Sequence, residues 1–197
     1  MVGCIIIVNI LEENFMHARH LLLNRSSMPR LVEPGPTPAD MELFEAAALR
    51  VPDHMNLTPY QITVFRGDQR ADLGDLYQAT AEHEELGEQT IARAASLPMR
   101  APLLLMVATQ YQDHDKVPKH EQLASAACAA HAILQMAYTQ GYGAVWRTGP
   151  YAESQFLKDQ LGIPHEDIVA FLYIGTPAVP TPVKPAKDKK VFVEFSG

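Results

Sequence analysis

The chain has 197 residues, of which 47% are hydrophobic and 20% charged, an ordinary composition for a globular protein with one core. Its formal net charge is −7, and the Lys and Arg residues are dispersed along the chain. Because nucleic-acid binders concentrate positive charge to replace phosphate counterions, this composition argues against a nucleic-acid partner. The two cysteines, Cys4 and Cys128, are too few for a disulfide framework and indicate a reducing cytoplasm.

The N-terminal segment contains a short apolar run, Cys4 to Val8, followed by Glu12-Glu13-Asn14. This run is too short to cross a bilayer, which takes about 20 apolar residues. It also lacks the basic leader and the small-residue cleavage site of a secretory signal. We therefore expect residues 1–15 to be an extension or an artefact of start-site choice. One domain is expected over residues 16–197, with no membrane association.

In the first half of the chain, apolar spacing predicts a helix over residues 15–24 and a second helix that begins at Pro38. Thr37 is a natural N-cap for the second helix because Pro38 occupies its first position. Alternating residues predict a strand over 61–66, followed by a long polar helix over about 70–96. The continuous apolar run 103–108 predicts a strand buried on both faces. The charged residues of 110–119 predict a loop.

In the second half, the most apolar helix is expected over residues 121–140, where a small side chain such as Cys128 would be buried. Extended chain over 144–146, a short helix over 153–160 and a buried strand over 168–175 follow. Four prolines between residues 177 and 185 then predict an extended arm. The strand pattern of residues 191–195 lies beyond this arm, so we expect it to complete a sheet at a distance, on a partner chain.

Familiar catalytic motifs are missing from the sequence, including the glycine-rich dinucleotide fingerprint. Gly141-Tyr142-Gly143 is the nearest approach to that fingerprint, but it follows a helix where the fingerprint follows a strand. The pairs His17 with His20 and His114 with His120 lack the spacing of a zinc or iron site, so no metal is predicted.

Three short clusters remain as candidates for binding. They are Arg25-Ser26-Ser27, the run from Arg50 to His54 with Asn56 beyond it, and Trp146-Arg147-Thr148. An arginine beside serines offers charged and neutral donors to an anion. Taken singly, each cluster is more typical of a turn with a solvated arginine.

In their order along the chain, the three clusters resemble the FMN-binding positions of the nitroreductase superfamily, and most of all its compact YdjA-like subgroup. The stretches from Asp115 to Gln122 and from Phe171 to Pro177 add to the resemblance, which covers the chain from about Met16 onward. It implies an α+β fold of three layers, α/β/α, with a mostly antiparallel central sheet flanked by helices. It also implies a homodimer that exchanges the C-terminal strand and binds its flavins at the interface.

The resemblance implies a role for each clustered residue. Arg25 and Arg147 would hold the FMN phosphate, Ser26 and Ser27 would add hydrogen bonds, Trp146 and Thr148 would line the site, Arg50 and His54 would come from the partner subunit, and Asn56 would lie near the ring edge. Guanidinium groups suit a phosphate dianion because they are planar and permanently charged. The chain departs from the family pattern at Pro29, where a lysine is common, at Tyr60, where tryptophan is expected, and at Thr58, where glutamine is common.

The implied function is an FMN-dependent oxidoreductase that takes electrons from NADH or NADPH and reduces nitroaromatic or quinone-like acceptors by a ping-pong mechanism. No dedicated catalytic residue is expected, because the cofactor carries the chemistry; His54 is the one candidate for proton transfer. Three alternatives remain open. They are a flavin-dependent dehydrogenase or dehalogenase of one metabolite, a non-catalytic flavin-binding protein, and a dimeric scaffold whose flavin site has decayed.

Overall fold

The computed structural model describes residues 18–179, 184–185, 187–189 and 191–195. The helices of this part of the chain are α1 (Ala18–Asn24), α2 (Pro38–Ala48), α3 (Gln69–His83), α4 (Glu88–Ala94), α5 (Lys119–Thr139), α6 (Pro150–Glu153) and α7 (Gln155–Gln160). The strands are β1 (Leu31–Val32), β2 (Tyr60–Arg66), β3 (Leu103–Thr109), β4 (Gly143–Arg147) and β5 (Ile168–Pro177). Two 3₁₀ turns, His54–Asn56 and Leu97–Arg100, precede β2 and β3.

The strands form one antiparallel sheet in the order β1-β5-β3-β2, with β4 also paired to β5. Strand β3 is buried along its whole length, as expected for the uninterrupted apolar run. Strand β5 is central because it pairs with β1, β3 and β4. Among the described residues, β2 forms the open edge of the sheet.

Alternation along the strands divides the core into two layers. Leu105 and Leu172 face one layer, where they pack with Phe44 of α2 and with the apolar face of α5. Leu104 and Phe171 face the other layer, which contains α3, α4, α6 and α7. Helices therefore cover both faces of a mostly antiparallel sheet, and the predicted α+β, three-layer fold is confirmed.

Local signals located several element ends correctly. Thr37 is the N-cap of α2, and a capping box with Asp40 closes the helix start. The Oγ1 of Thr37 accepts from the Asp40 N–H at 3.3 Å, while the Thr37 N–H donates to the Asp40 carboxylate at 2.8 Å. At the end of α5, Gly141 adopts φ +84°, a conformation that favours glycine, and ends the helix as predicted.

Two predicted helices were wrong in their extent. The long helix expected over 70–96 is divided, because Glu85 adopts φ +51° and the Leu86 N–H returns to the Ala81 carbonyl at 3.0 Å. This bond closes α3 with a Schellman-type C-cap, and Gly87 then begins α4. The helix expected over 153–160 is likewise divided at Ser154, whose hydroxyl caps α7. Strand β1 was not predicted because it has only two residues.

Exposure differed from expectation at two places. Cys128 is exposed on α5 and not buried, and α1 contains no buried residue. In the single chain, residues 191–195 form no strand, and their apolar side chains lie in solvent, 72–97% exposed. Residues 1–15, expected to form an extension, lie outside the described residues.

Candidate functional site

Arg25 follows α1 directly, and its N–H donates to the Leu21 carbonyl at 3.0 Å. Its side chain lies near His131 of α5. Partial burial lowers the pKa of His131, and the positive charge of Arg25 lowers it further. The positive charge of Arg25 therefore acts at this point on α5.

A groove of about 660 Å³ lies between α1, the end of α2 and α5. Its polar groups include Arg50 and His131, and its apolar surface consists of small or flexible side chains: Leu21, Ala46, Ala47, Val51, Pro52, Cys128, Ala132 and Met136. A volume between about 300 and 1,000 Å³ is typical of small-molecule sites. The groove is therefore large enough for a flat aromatic ligand, with one arginine and one histidine at its surface.

His54 and Asn56 lie in the 3₁₀ turn before β2, where Asn56 adopts φ +53°. The Nδ1 atom of His54 is 2.7 Å from Oε2 of Glu121, a residue in the first turn of α5. Both side chains are about half exposed. The turn itself is fixed by Asp53, whose carboxylate accepts the Thr58 N–H at 2.6 Å. Glu121 thus orients the imidazole while its outer edge stays accessible.

The end of β4 places Trp146 and Arg147 on opposite faces of the sheet. Trp146 packs against the core layer of α5. Arg147 points to the α3 side, where its guanidinium carbon lies 5.7 Å from the centre of the Tyr173 ring. Thr148 is exposed beyond the strand, and Gly149 turns the chain with φ +76°.

The structure therefore brings together some predicted residues and separates others. Arg25 and Arg50 both lie near His131, and Trp146 and Thr148 share the end of β4. Within one subunit, Arg25 lies beside α5, whereas the side chain of Arg147 lies in the opposite layer. The roles of the nine predicted residues toward FMN remain predictions.

Sequence reasoning missed five residues beside these positions. They are Glu121, Cys128 and His131 along α5, and Arg93 and Arg100 around Arg147. The spacing of Cys128 and His131 at i and i+3 was a signal of a shared helix face. No local pattern joins Arg93 and Arg100 to Arg147, since only tertiary packing brings them to one cavity.

Other classes of site find no support in the described residues. They contain no group of three or more His, Cys, Asp or Glu side chains that could hold a metal ion. None of the helices described in the structure has the length and apolar character needed to cross a membrane.

A three-layer α+β domain with this antiparallel sheet is the fold of nitroreductase-like proteins. A nitroreductase-like family protein from Bacillus cereus superposes with a TM-score of 0.76, covering 89% of this chain and 92% of its own, at 17% identity. A nitroreductase with bound FMN from Desulfitobacterium hafniense superposes with a TM-score of 0.62, covering 91% of this chain and 100% of its own, at 17% identity. At these identities the likeness shows the fold alone.

Sequence comparison goes further. The sequence model described as the Nitroreductase family matches residues 31–176. An Escherichia coli K12 protein named "Putative NAD(P)H nitroreductase YdjA" is 37% identical over 163 residues, which cover 82% of this chain and 89% of that protein. The chain belongs to the nitroreductase family, and the resemblance inferred from its short motifs is confirmed.

Proposed function

We propose that this protein is an FMN-dependent NAD(P)H oxidoreductase that reduces nitroaromatic or quinone-like acceptors by a ping-pong mechanism. The observation that carries the proposal is the groove on α5, where apolar side chains lie beside Arg50 and His131 and close to Arg25. The E. coli relative named as an NAD(P)H nitroreductase supports the electron donor. The FMN bound to the D. hafniense nitroreductase supports the cofactor.

The phosphate end of FMN is assigned to Arg25, Ser26 and Ser27. A guanidinium supplies paired donors to a phosphate, and the two hydroxyls supply neutral ones. Partial burial lowers the pKa of His131 most, and the positive charge of Arg25 lowers it further. A phosphate bound at Arg25 would compensate this second contribution. A bound phosphate at Arg25 is therefore expected to raise the pKa of His131.

The ring end is assigned to the end of β4, with Trp146, Arg147 and Thr148 along one side. Strand alternation directs the Arg147 side chain away from Trp146, so we propose that Arg147 reaches the flavin through its backbone. Pro29 stands where a lysine is common in the family, so another donor must stabilise charge that develops on the ring. Arg50 of the partner subunit is the candidate for that contact.

A homodimer is proposed because large apolar residues of α1, of the segment after α2 and of the turn at His54 are exposed. Leu22 and Leu23 of α1 are 68% and 74% exposed, Leu49 after α2 is 57% exposed, and Met55 beside His54 is 55% exposed. Contiguous apolar surface of this kind marks protein–protein interfaces. Dimerisation through it would bring Arg50, His54 and Asn56 of one subunit toward Arg25 and Trp146 of the other.

The C-terminal arm supports the same assembly. Val191, Phe192, Val193 and Phe195 lie in solvent in the single chain. The open edge of β2 borders a second apolar groove of about 400 Å³ between α2 and the sheet. We propose that residues 191–195 of each subunit pair along β2 of the partner, which would cover both surfaces.

When bound, FMN would supply the redox chemistry between the nicotinamide and the acceptor. The chain's residues would bind FMN, orient its ring and exclude water from it. Arg25 fixes the phosphate, and Trp146 limits access to one side of the ring. Glu121 holds His54 through Nδ1, which leaves Nε2 available to hold or donate a proton to the acceptor. The acceptor and the nicotinamide would use the same open face in turn.

The first test is an absorption spectrum of the purified protein, followed by anaerobic additions of NADH and then NADPH. Flavin bands that bleach with either nucleotide, and return when a quinone or nitroaromatic compound is added, are the expected result. Protein stripped of flavin and reloaded with FMN serves as the control for occupancy. A colourless protein that also fails to bind added FMN would contradict the proposal.

Two of the alternative functions predict different results in the same spectroscopic experiment. Bound flavin that neither nucleotide reduces would favour a non-catalytic flavin-binding protein. Slow reduction that accelerates only with one particular metabolite would favour a specific dehydrogenase or dehalogenase.

A further inference from the structure

A further cavity, of about 420 Å³ and different from the two grooves described above, lies on the sheet face opposite the α5 groove. Three arginines from three separate elements line it: Arg93 of α4, Arg100 of the 3₁₀ turn before β3, and Arg147 of β4. We refer to it as the arginine cavity. Its aromatic lining consists of Tyr77, Tyr151, Phe171 and Tyr173, and Trp146 and Thr148 also border it.

The arginine cavity has an uncompensated positive charge. Its lining contains no Asp or Glu. Within the described ranges, none of the three guanidinium groups has a carboxylate oxygen within 4.0 Å. This cavity is positive although the chain as a whole is acidic, with 23 Asp and Glu against 16 Lys and Arg. Converging cations without counter-charges repel one another, so an anion between them would stabilise the arrangement.

Two buried donors at the same cavity have no hydrogen-bond partner among the described residues. They are the Nε of Arg147 and the hydroxyl of Tyr151, whose residue is only 6% exposed. Buried polar groups are almost always satisfied, and leaving one without a partner is costly. A ligand with several acceptor oxygens would satisfy both donors.

Electrostatics link the three arginines to the tyrosine hydroxyls. Burial raises the pKa of Tyr151, while the charge of Arg93 acts in the opposite direction. Burial likewise raises the pKa of Tyr173, against the opposing charges of Arg147 and Arg100. Both phenols therefore stay protonated at neutral pH, so they can donate hydrogen bonds where the guanidinium groups converge.

We propose that the arginine cavity binds a phosphate group, either as the inorganic ion or as the ester of a small molecule. Arginine forks match phosphate oxygens with paired donors, and the two phenols add neutral ones. The site is distinct from the α5 groove because the two share no lining residue. Trp146 and Thr148, which are assigned to the flavin ring end, also line the arginine cavity.

Isothermal titration calorimetry of the protein as purified, in chloride buffer, tests this proposal. Inorganic phosphate and phenyl phosphate are the two probes, and the tighter of them identifies the source of the phosphate. Arg93→Gln and Arg100→Gln are each expected to weaken binding about tenfold, as for other hydrogen bonds to charged groups. Arg66→Gln is the matched control, because strand alternation places Arg66 on the other sheet face.

Tyr151→Phe separates a binding role from a structural one. If its hydroxyl donates to the ligand, the variant binds phosphate several-fold more weakly, while the unliganded protein is at least as stable as the parent. No saturable heat with either probe, or equal affinity in Arg93→Gln, Arg100→Gln and Arg66→Gln, would overturn the proposal. Loss of FMN from Arg93→Gln and Arg100→Gln would instead locate the flavin phosphate here and overturn a separate site.

Discussion

The two faces of the sheet present two different kinds of concave surface. The groove on α5 is open and mostly apolar, and Leu22 and Leu49, which adjoin its lining residues Leu21 and Arg50 in sequence, are exposed. The arginine cavity lies between elements of one chain and is lined by three arginines, of which Arg93 and Arg100 are exposed and Arg147 is partly buried. The apolar side chains of the α5 groove are not covered by other apolar groups. The arginines of the arginine cavity have no negative charge beside them among the described residues.

This difference indicates what each surface requires. Apolar surface is stabilised by burial against another apolar surface, which a second subunit can provide. Uncompensated arginines are stabilised by an anion, which a small ligand can provide. We therefore expect changes at the α5 face to affect assembly and flavin binding, and changes at Arg93 and Arg100 of the arginine cavity to affect phosphate binding alone.

Removal of the chain from Pro180 onward is expected to have the largest effect. Val191, Phe192, Val193 and Phe195 are 72–97% exposed in the single chain. Burying each would contribute about 2 kcal/mol, reduced by the cost of ordering the arm. Loss of both arms should raise the dimer dissociation constant by about a thousandfold or more. Sedimentation velocity across a dilution series measures this change.

The matched control for this truncation is a chain that lacks only the last two residues, Ser196 and Gly197. It is expected to remain dimeric and to hold FMN. A chain ending before Pro180 that stays dimeric and holds FMN would contradict the role of the arm.

Arg25→Ala is expected to have the next largest effect, confined to the α5 face. Loss of a charge-assisted contact to phosphate should weaken FMN binding by about 10- to 100-fold. Quenching of flavin fluorescence on binding measures the dissociation constant. Arg147→Ala tests the difference between the two faces. The family resemblance predicts that this variant also binds FMN more weakly. A side chain that points into the arginine cavity predicts only a small loss of FMN affinity. Equal losses of FMN affinity in Arg25→Ala and Arg147→Ala would support the prediction from the resemblance that both arginines hold the FMN phosphate.

Gly74→Ala is expected to disturb the other face. An added Cβ would collide with the Ala95 carbonyl oxygen, so α3 could no longer approach the segment that follows Arg93 so closely. Overpacking costs about 1–3 kcal/mol, which exceeds the gain of about 1 kcal/mol from replacing a helical glycine. Thermal unfolding should show a lower midpoint, by about 2–6 °C for a domain of this size. Weaker phosphate binding with unchanged FMN affinity is expected; the reverse would contradict the division between the faces.

Sequence patterns predicted the elements whose signals are local. Strands β3 and β5 are uninterrupted apolar runs, and Thr37 with Pro38 determined where α2 begins. The division between α3 and α4 was missed because it depends on the positive φ of Glu85, a residue with no preference for that conformation. The glycine two residues later was the available signal.

The same distinction applies to the sites. The flavin candidates were found because each forms a run of adjacent residues that resembles a family motif. Arg93 and Arg100 were not found because they are separated in sequence from Arg147, and only the packing of α4 and of the second 3₁₀ turn against α3 brings them to the same cavity. The exposure of Cys128 was missed because an alanine-rich helix gives little indication of which face is covered.

The smallest expected effect is a shift in the titration of His131, which reports on Arg25 directly. The pKa of this histidine lies below the ordinary histidine value of 6.5 because of partial burial and the charge of Arg25. The unfolded chain therefore binds the proton first, and stability decreases as the pH falls from about 6.5 through the folded-state pKa. Arg25→Ala should raise the pKa, and so should FMN if its phosphate binds at Arg25. Proton NMR of the imidazole measures both shifts, with Arg66→Gln as the control. A pKa that FMN leaves unchanged would separate Arg25 from the phosphate, even if the protein binds flavin tightly.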